Sequence, residues 1–251
     1  MTETLLEPAA CLAALESQMA GFEAVARTAD PSLPVAVSSR WGLSGLISHL
    51  GRVHLWAADT LASGKRGSSF PGPAEGVDPP SWYRECADHL LAVLAAADPA
   101  DPCWNFSVVP RVKAFWFRRQ LHETTIHRFD AETAAGRLMT IDAVLAADGV
   151  DEVLRTMLPV GHRWDGKPLP DLPGPIQVRA VDLDWRWTIE PSGGPSPAVT
   201  FGAEATAPVA TIEAPAEALY LWFWQRTPVG SVHIGGDRAL VEALIKAQIT
   251  P

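Results

Sequence analysis

The sequence predicts an α plus α+β protein, with an N-terminal bundle of four helices followed by a smaller α+β domain. Three observations carry this. Apolar residues recur at helical spacing in four segments up to Ala135. A proline-rich stretch, Lys167–Pro175, then interrupts the pattern. Beyond it, alternation of period two marks strands.

Residues 3–27 place Leu5, Leu6, Leu12, Leu15, Met19 and Phe22 on one helical face, ending before Asp30-Pro31. Ser44 is placed to cap a second helix that runs to about Leu61, with Leu46, Leu50, Val53 and Ala57 on its apolar face. A Gly/Ser/Pro loop follows from Gly64 to Pro80. The third helix fits Ser81–Ala97 and the fourth Arg111–Ala135, joined by the proline-containing loop Asp98–Pro110. Ile141–Leu158 reads as a bridging helix. Ile176–Val181 and Asp184–Ile189 alternate as strands across the short break Asp182-Leu183, which predicts a hairpin. Ala198–Phe201, Pro208–Ile212 and Ser231–Ile234 are shorter strands, and Ala214–Gln225 and Asp237–Gln248 are helices. The expected division is a bundle over 1–138, a helical bridge and linker over 139–170, and an α+β domain over 171–251.

A net charge of −9 argues against nucleic acid as a partner, because phosphate recognition needs a basic face. No apolar run approaches the roughly 20 residues that span a bilayer, and the acidic N-terminus lacks the pattern of a secretion signal. The expected location is cytoplasmic and the expected partners are small molecules. Cys11, Cys86 and Cys103 are far apart with no C-x-x-C pair, which excludes a zinc ribbon and disfavours a disulfide framework.

The chemistry concentrates in one stretch of the fourth helix. Glu123 and His127 are four residues apart, so both side chains project from one face towards a common point. Carboxylate plus imidazole suits Zn²⁺, and also Ni²⁺, Fe²⁺ or Mn²⁺. Alone, such a pair is an ordinary surface contact. A third ligand must come from another helix, and the second helix offers His49 and His54. His49 shares a stripe with Leu46, Val53 and Trp56, whereas His54 falls nearer the flank, so His49 is the choice. Three protein ligands leave room for water or substrate, as in a catalytic site. His122 points about 100° away from Glu123 and is read as an outer or surface residue. His89, His162 and His233 have no partner at ligand spacing. Trp56, Trp104 and Trp116 are expected to wall a pocket, and Trp185 and Trp187 to belong to the core or interface of the second domain.

Trp41-Gly-Leu-Ser-Gly-Leu-Ile-Ser-His-Leu50 and Arg119-Gln-Leu-His-Glu-Thr-Thr-Ile-His-Arg-Phe-Asp-Ala-Glu132 resemble the motifs of the mycothiol-dependent maleylpyruvate isomerase family, within the DinB-like metalloproteins. The resemblance implies a DinB-like bundle with His49, Glu123 and His127 as metal ligands. It also implies a C-terminal domain similar to sterol-carrier proteins, whose ending matches Ala216–Arg226 and Val232–Asp237 here. By the same resemblance Arg226 reaches the cleft between domains and contacts a substrate carboxylate. This chain departs from the family by packing Trp222, Trp224 and Gln225 before that arginine. Arg128 and Asp130 are expected around the ligand histidine, with Arg128 assigned to the thiol cosubstrate.

The function implied is a metal-dependent enzyme that uses a low-molecular-weight thiol, mycothiol by resemblance, against an electrophilic substrate. It would act as an S-transferase or a cis–trans isomerase. Metal-assisted hydrolysis and a non-catalytic metal-stabilised binding module are the alternatives.

Overall fold

The structure, a computed structural model, describes residues 5–36, 41–163, 169–194, 196–247 and 249–250, with the backbone alone at 161–163. The chain divides into two compact units, one including Leu6–Phe106 and Pro110–Met139, the other including Ser107–Val109 and Thr140–Pro251.

The first unit contains α1 (Pro8–Thr28), α2 (Leu43–Ser63), α3 (Pro79–Ala95) and α4 (Ala114–Ala134). α1 packs on α3 and α4, and α2 packs on the same two helices, so the four close into a ring with α1/α2 and α3/α4 on the diagonals. α1 starts at Pro8, later than the apolar spacing suggests, because proline at the first helical position has no amide to leave unpaired. Residues 3–4 of the expected helix lie outside the described residues. Ser44, expected as the cap of α2, lies inside the helix, and Gly42 holds the cap position. Gly64 ends α2 with φ +69°, a conformation in which a side chain would be strained. Asp78 caps α3 by accepting a hydrogen bond from the Ser81 amide.

α4 is unusual in what it buries. Arg118, Arg119, Gln120, His122, Thr124, Thr125, His127 and Asp130 are all withdrawn from solvent beside Trp116, Leu121 and Ile126. Buried polar groups are costly unless paired. Thr124 and Thr125 return their hydroxyl protons to the carbonyls of Gln120 and Leu121. Trp116 donates from Nε1 to the Trp104 carbonyl, and Trp56 meets both indoles at 4.9 and 6.0 Å between centroids. These tryptophans therefore pack on one another.

The second unit contains α5 (Ala143–Glu152), continued by a π-helical turn at Val153–Met157 and a 3-10 turn at Leu158–Arg163. α5, read from sequence as a bridge, packs within this unit on α6 (Ala216–Phe223). β1 (Ile176–Ala180), β2 (Trp185–Glu190), β3 (Ala198–Phe201), β4 (Ala210–Ala214) and β5 (His233–Gly236) form one sheet in the order β3-β2-β1-β4-β5. β1 and β4 are parallel and the other pairs antiparallel. The expected hairpin is present, with Ala180 opposite Trp185 and Asp184 at φ +51° in the turn. α6 (Ala216–Phe223) and α7 (Arg238–Lys246) complete the unit; Gln248 lies outside the described residues. Trp187 is fully buried and donates to Asp151 of α5 at 2.9 Å, tying sheet to helix. Trp185 is only half-buried. Among the described residues, no helix is long and apolar enough to cross a membrane.

Two stability predictions follow from the bundle. A Cβ at Gly51 of α2 would stand 2.3 Å from the Trp82 ring of α3. Gly51→Ala gains about 1 kcal/mol of helix propensity but overpacks the seam by roughly 1–3 kcal/mol. Thermal unfolding of Gly51→Ala is expected below wild type, and the loss should vanish in a Trp82→Leu background.

His54 is fully buried and donates from Nδ1 to Gln120 Oε1 at 2.8 Å, while its Nε2 has no hydrogen-bond partner among the described residues. Burial pushes its pKa down to about 4, despite the Gln120 hydrogen bond and the charge of Glu123, which raise it. The folded value lies below the unfolded one of about 6.5, so the unfolded chain binds the extra proton. This contribution is intact above pH 6.5 and disappears as pH falls towards 4, a loss of roughly 3 kcal/mol. Urea unfolding at pH 7 and pH 5 should show this slope in wild type and a flatter one in His54→Gln.

Candidate metal centre

α2 and α4 lie side by side, and this adjacency brings His49 to Glu123 and His127. Glu123 Oε1 stands 3.4 Å from His49 Nε2 and 3.3 Å from His127 Nε2. One ligand atom from each of the three side chains lies within 4.8 Å of the others. Among the described residues, no second set of His, Cys, Asp or Glu side chains is grouped this way. The two imidazole planes are nearly perpendicular, at 84°, with centroids 5.0 Å apart. Donors bound at about 2.1 Å to one tetrahedral ion stand roughly 3.4 Å apart, so these separations and this N/O/N donor set fit a divalent cation.

Each of the three side chains has a different holder. Arg119, one turn before Glu123 on α4, donates from Nη2 to Oε2 at 3.0 Å. Oε1 is thereby the oxygen turned to the imidazoles. His127 Nδ1 lies 3.0 Å from Asp130 Oδ2, which places the Nδ1 proton on that bond and makes Nε2, the nitrogen turned to Glu123, the atom a cation would take in place of a proton. His49 is seated differently. Its ring lies against the Trp41 indole, with centroids 4.9 Å apart and planes tilted by 36°. A Cβ at Gly45 would come within 3.2 Å of Trp41, so the glycine helps to seat the indole.

Exposure is graded across the site. The His127 side chain is 8% exposed, Glu123 15% and His49 27%, so solvent reaches it from the α2 side. Burial by itself would raise the Glu123 pKa. Hydrogen bonds from His127 and His49, with the positive charges of His127 and Arg119, instead hold it well below the usual carboxylate range. Burial would likewise lower the His127 value, but Asp130 and Glu123 raise it to about 9. With Glu123 on one nitrogen of His127 and Asp130 on the other, the pocket favours positive charge.

The preference for His49 over His54 has a different basis from the one the stripe suggests. His49 is the partly exposed residue, and His54, expected on the flank, is the buried one. α2 is covered by α3 on one side and α4 on the other, so its flank is interior too. His122 is fully buried and not at the surface. His89 and His233 are exposed, and the side chain of His162 lies outside the described residues.

Arg128, expected beside a thiol, is directed towards α1. Its Nη1 donates to Gln18 at 3.1 Å, its Nε approaches Glu132 at 3.6 Å, and its guanidinium occupies the space a Cβ would take at Gly21. Arg226 belongs to the second unit. The Arg226 amide donates to Leu221 and the Gln225 amide to Trp222, which closes α6 with Gln225 at φ +56°. Arg226 Nη1 donates to the Trp224 carbonyl at 2.6 Å. Sequence reasoning passed over Arg119 and the Trp41 contact. The i,i+4 spacing that singled out Glu123 and His127 also links Arg119 to Glu123, so that signal was present.

Residues 12–132 match the family model described as the mycothiol maleylpyruvate isomerase N-terminal domain, and residues 144–243 match the MDMPI C-terminal domain. No protein of curated function matches the chain in sequence. The crystal structure of the mycothiol-dependent maleylpyruvate isomerase is similar to this chain with a TM-score of 0.60 at 10% identity, over 88% of this chain and 91% of that one. A histidine-to-alanine mutant of the mycothiol-dependent maleylpyruvate isomerase is similar with a TM-score of 0.56, again at 10% identity, 88% and 91%. Such distant likeness speaks to fold, which is a helical N-terminal region followed by a mixed-sheet domain. With consecutive domain models spanning both halves, the chain belongs to the mycothiol maleylpyruvate isomerase family of enzymes.

Proposed function

We propose that this chain is a divalent-metal-dependent enzyme that uses a small thiol, mycothiol, to act on an electrophilic unsaturated substrate. The observation that carries the reading is the convergence of His49, Glu123 and His127 within 4.8 Å, in a family whose name includes the thiol. His49, Glu123 and His127 would hold the cation, Zn²⁺ being the ion best matched to two imidazoles and a carboxylate. When bound, the cation supplies Lewis-acid stabilisation of a thiolate near neutral pH.

The chain's own residues do the rest. Asp130 keeps the Nδ1 proton on His127 in place, so Nε2 is the nitrogen that would give up its proton to a cation. Arg119 neutralises Glu123 from behind. Trp41 covers one face of His49 and limits how its ring can turn. Arg226 is the cation we assign to an anionic group of the substrate, by resemblance. Arg128 enters as the residue that holds α1 to the ligand-bearing helix, because Gln18 and Gly21 already take up its guanidinium. The buried thiols of Cys11, Cys86 and Cys103 contribute no nucleophile. Cys86 is pushed up to about 12 by burial and the nearby Glu85 charge, which suits it to packing. Thiol chemistry would therefore require an external thiol. An isomerase returns that thiol unchanged with a cis double bond turned trans, whereas a transferase keeps the new carbon–sulfur bond.

Two experiments test this. Purified protein should retain close to one divalent ion per chain by elemental analysis. His49→Ala, Glu123→Gln and His127→Ala should each lower metal affinity by more than the roughly 10–100-fold cost of losing an outer partner. Full metal content in all three would sink the metal assignment. Separately, turnover of a cis-unsaturated diacid should require both thiol and metal, stop on chelation and return with Zn²⁺. Thiol-independent hydrolysis would replace the reading with a hydrolase, and bound metal without turnover would replace it with a binding module.

A further inference from the structure

We propose that Arg119 is a positioning residue that reserves a single oxygen of Glu123 for the cation; this rests on the reading that the three side chains hold one. The carboxylate is divided by its surroundings. Oε2 accepts from Arg119 Nη2 at 3.0 Å, while Oε1 stands 3.4 Å from His49 Nε2 and 3.3 Å from His127 Nε2. The Arg119 side chain is only 4% exposed, so this is no surface ion pair loosened by solvent. A guanidinium withdrawn from water is costly to leave without its anion, which keeps the two side chains together.

The consequence is chemical. A carboxylate can give a cation one oxygen or two. With Oε2 engaged, the protein offers three donor atoms, an arrangement that leaves a coordination position for an exogenous ligand. With Oε2 released, the same glutamate can supply a fourth donor and compete with the thiol for that position. Arg119 touches neither thiol nor substrate in this scheme. It acts through Glu123.

The test uses the full chain, stripped with chelator and loaded with Co²⁺ as a spectroscopic probe. Wild type is compared with Arg119→Gln and Arg119→Lys by competition titration, visible absorption, and the response to a small added thiol. Wild type should show the intense visible bands of low-coordinate Co²⁺ and a new sulfur-to-cobalt band on thiol addition. Arg119→Gln should shift Co²⁺ affinity by about 10–100-fold, weaken the visible bands and lose most of the thiol response. Arg119→Lys, which keeps the charge but not the planar fork, should lie between. Wild-type affinity and spectra in Arg119→Gln would overturn the inference while leaving the metal site intact. If that variant does not fold, Arg119→Lys decides: an intermediate spectrum supports the inference and a wild-type spectrum overturns it. A wild-type protein that binds no Co²⁺ would remove both this inference and the metal reading beneath it.

Discussion

Taking a carboxylate out of water inside a helical bundle is costly unless positive charge or hydrogen-bond donors meet it. Glu123 is in that position, and much of the first unit is arranged around it. Arg119 stands one turn before it and His127 one turn after, so α4 alone supplies two partners by helical repeat. The third comes from α2, which is why the packing of α2 beside α4 matters more to this site than any other helix pair. Asp130 extends the alternation of charge by a further turn. The result is a line of acid, base and imidazole along one buried helix.

That line explains how far the sequence could be read. The closeness of Glu123 to His127 was legible because helical spacing alone sets their relation, whereas His49 was chosen from a shared stripe with Leu46 and Val53 that its partial exposure does not bear out. The burial of His54 was not legible, since it depends on which neighbours cover the flank of α2, and no local pattern encodes that. The start of α2 was misassigned for a related reason. Ser44 has the right chemistry for a cap, but the chain enters the helix two residues earlier, through Gly42. The strands were visible from alternation. The parallel pairing of β1 with β4, across a long stretch of sequence, was not.

The second unit shows the same division between local and non-local information. Trp187 was assigned to the core or interface from its strand position, and it is buried. That its indole proton would go to Asp151, on a helix 36 residues earlier, could only emerge from the fold. Arg226 is held at the end of α6 by a paired set of amide bonds across Gln225, whose left-handed backbone would suit glycine better. A non-glycine residue there costs of order 1 kcal/mol. This cost is local to the turn that presents the arginine.

The split of the three side chains between two helices has an outcome for the protein's fate in a cell. A cation gripped by both would act as a removable rivet, so occupancy would add RT ln(1 + [M]/Kd) to the free energy of unfolding. Proteases attack chains that open, and the fraction open would rise when the ion is scarce. With such a cation bound, the amount of the protein would follow the supply of that ion.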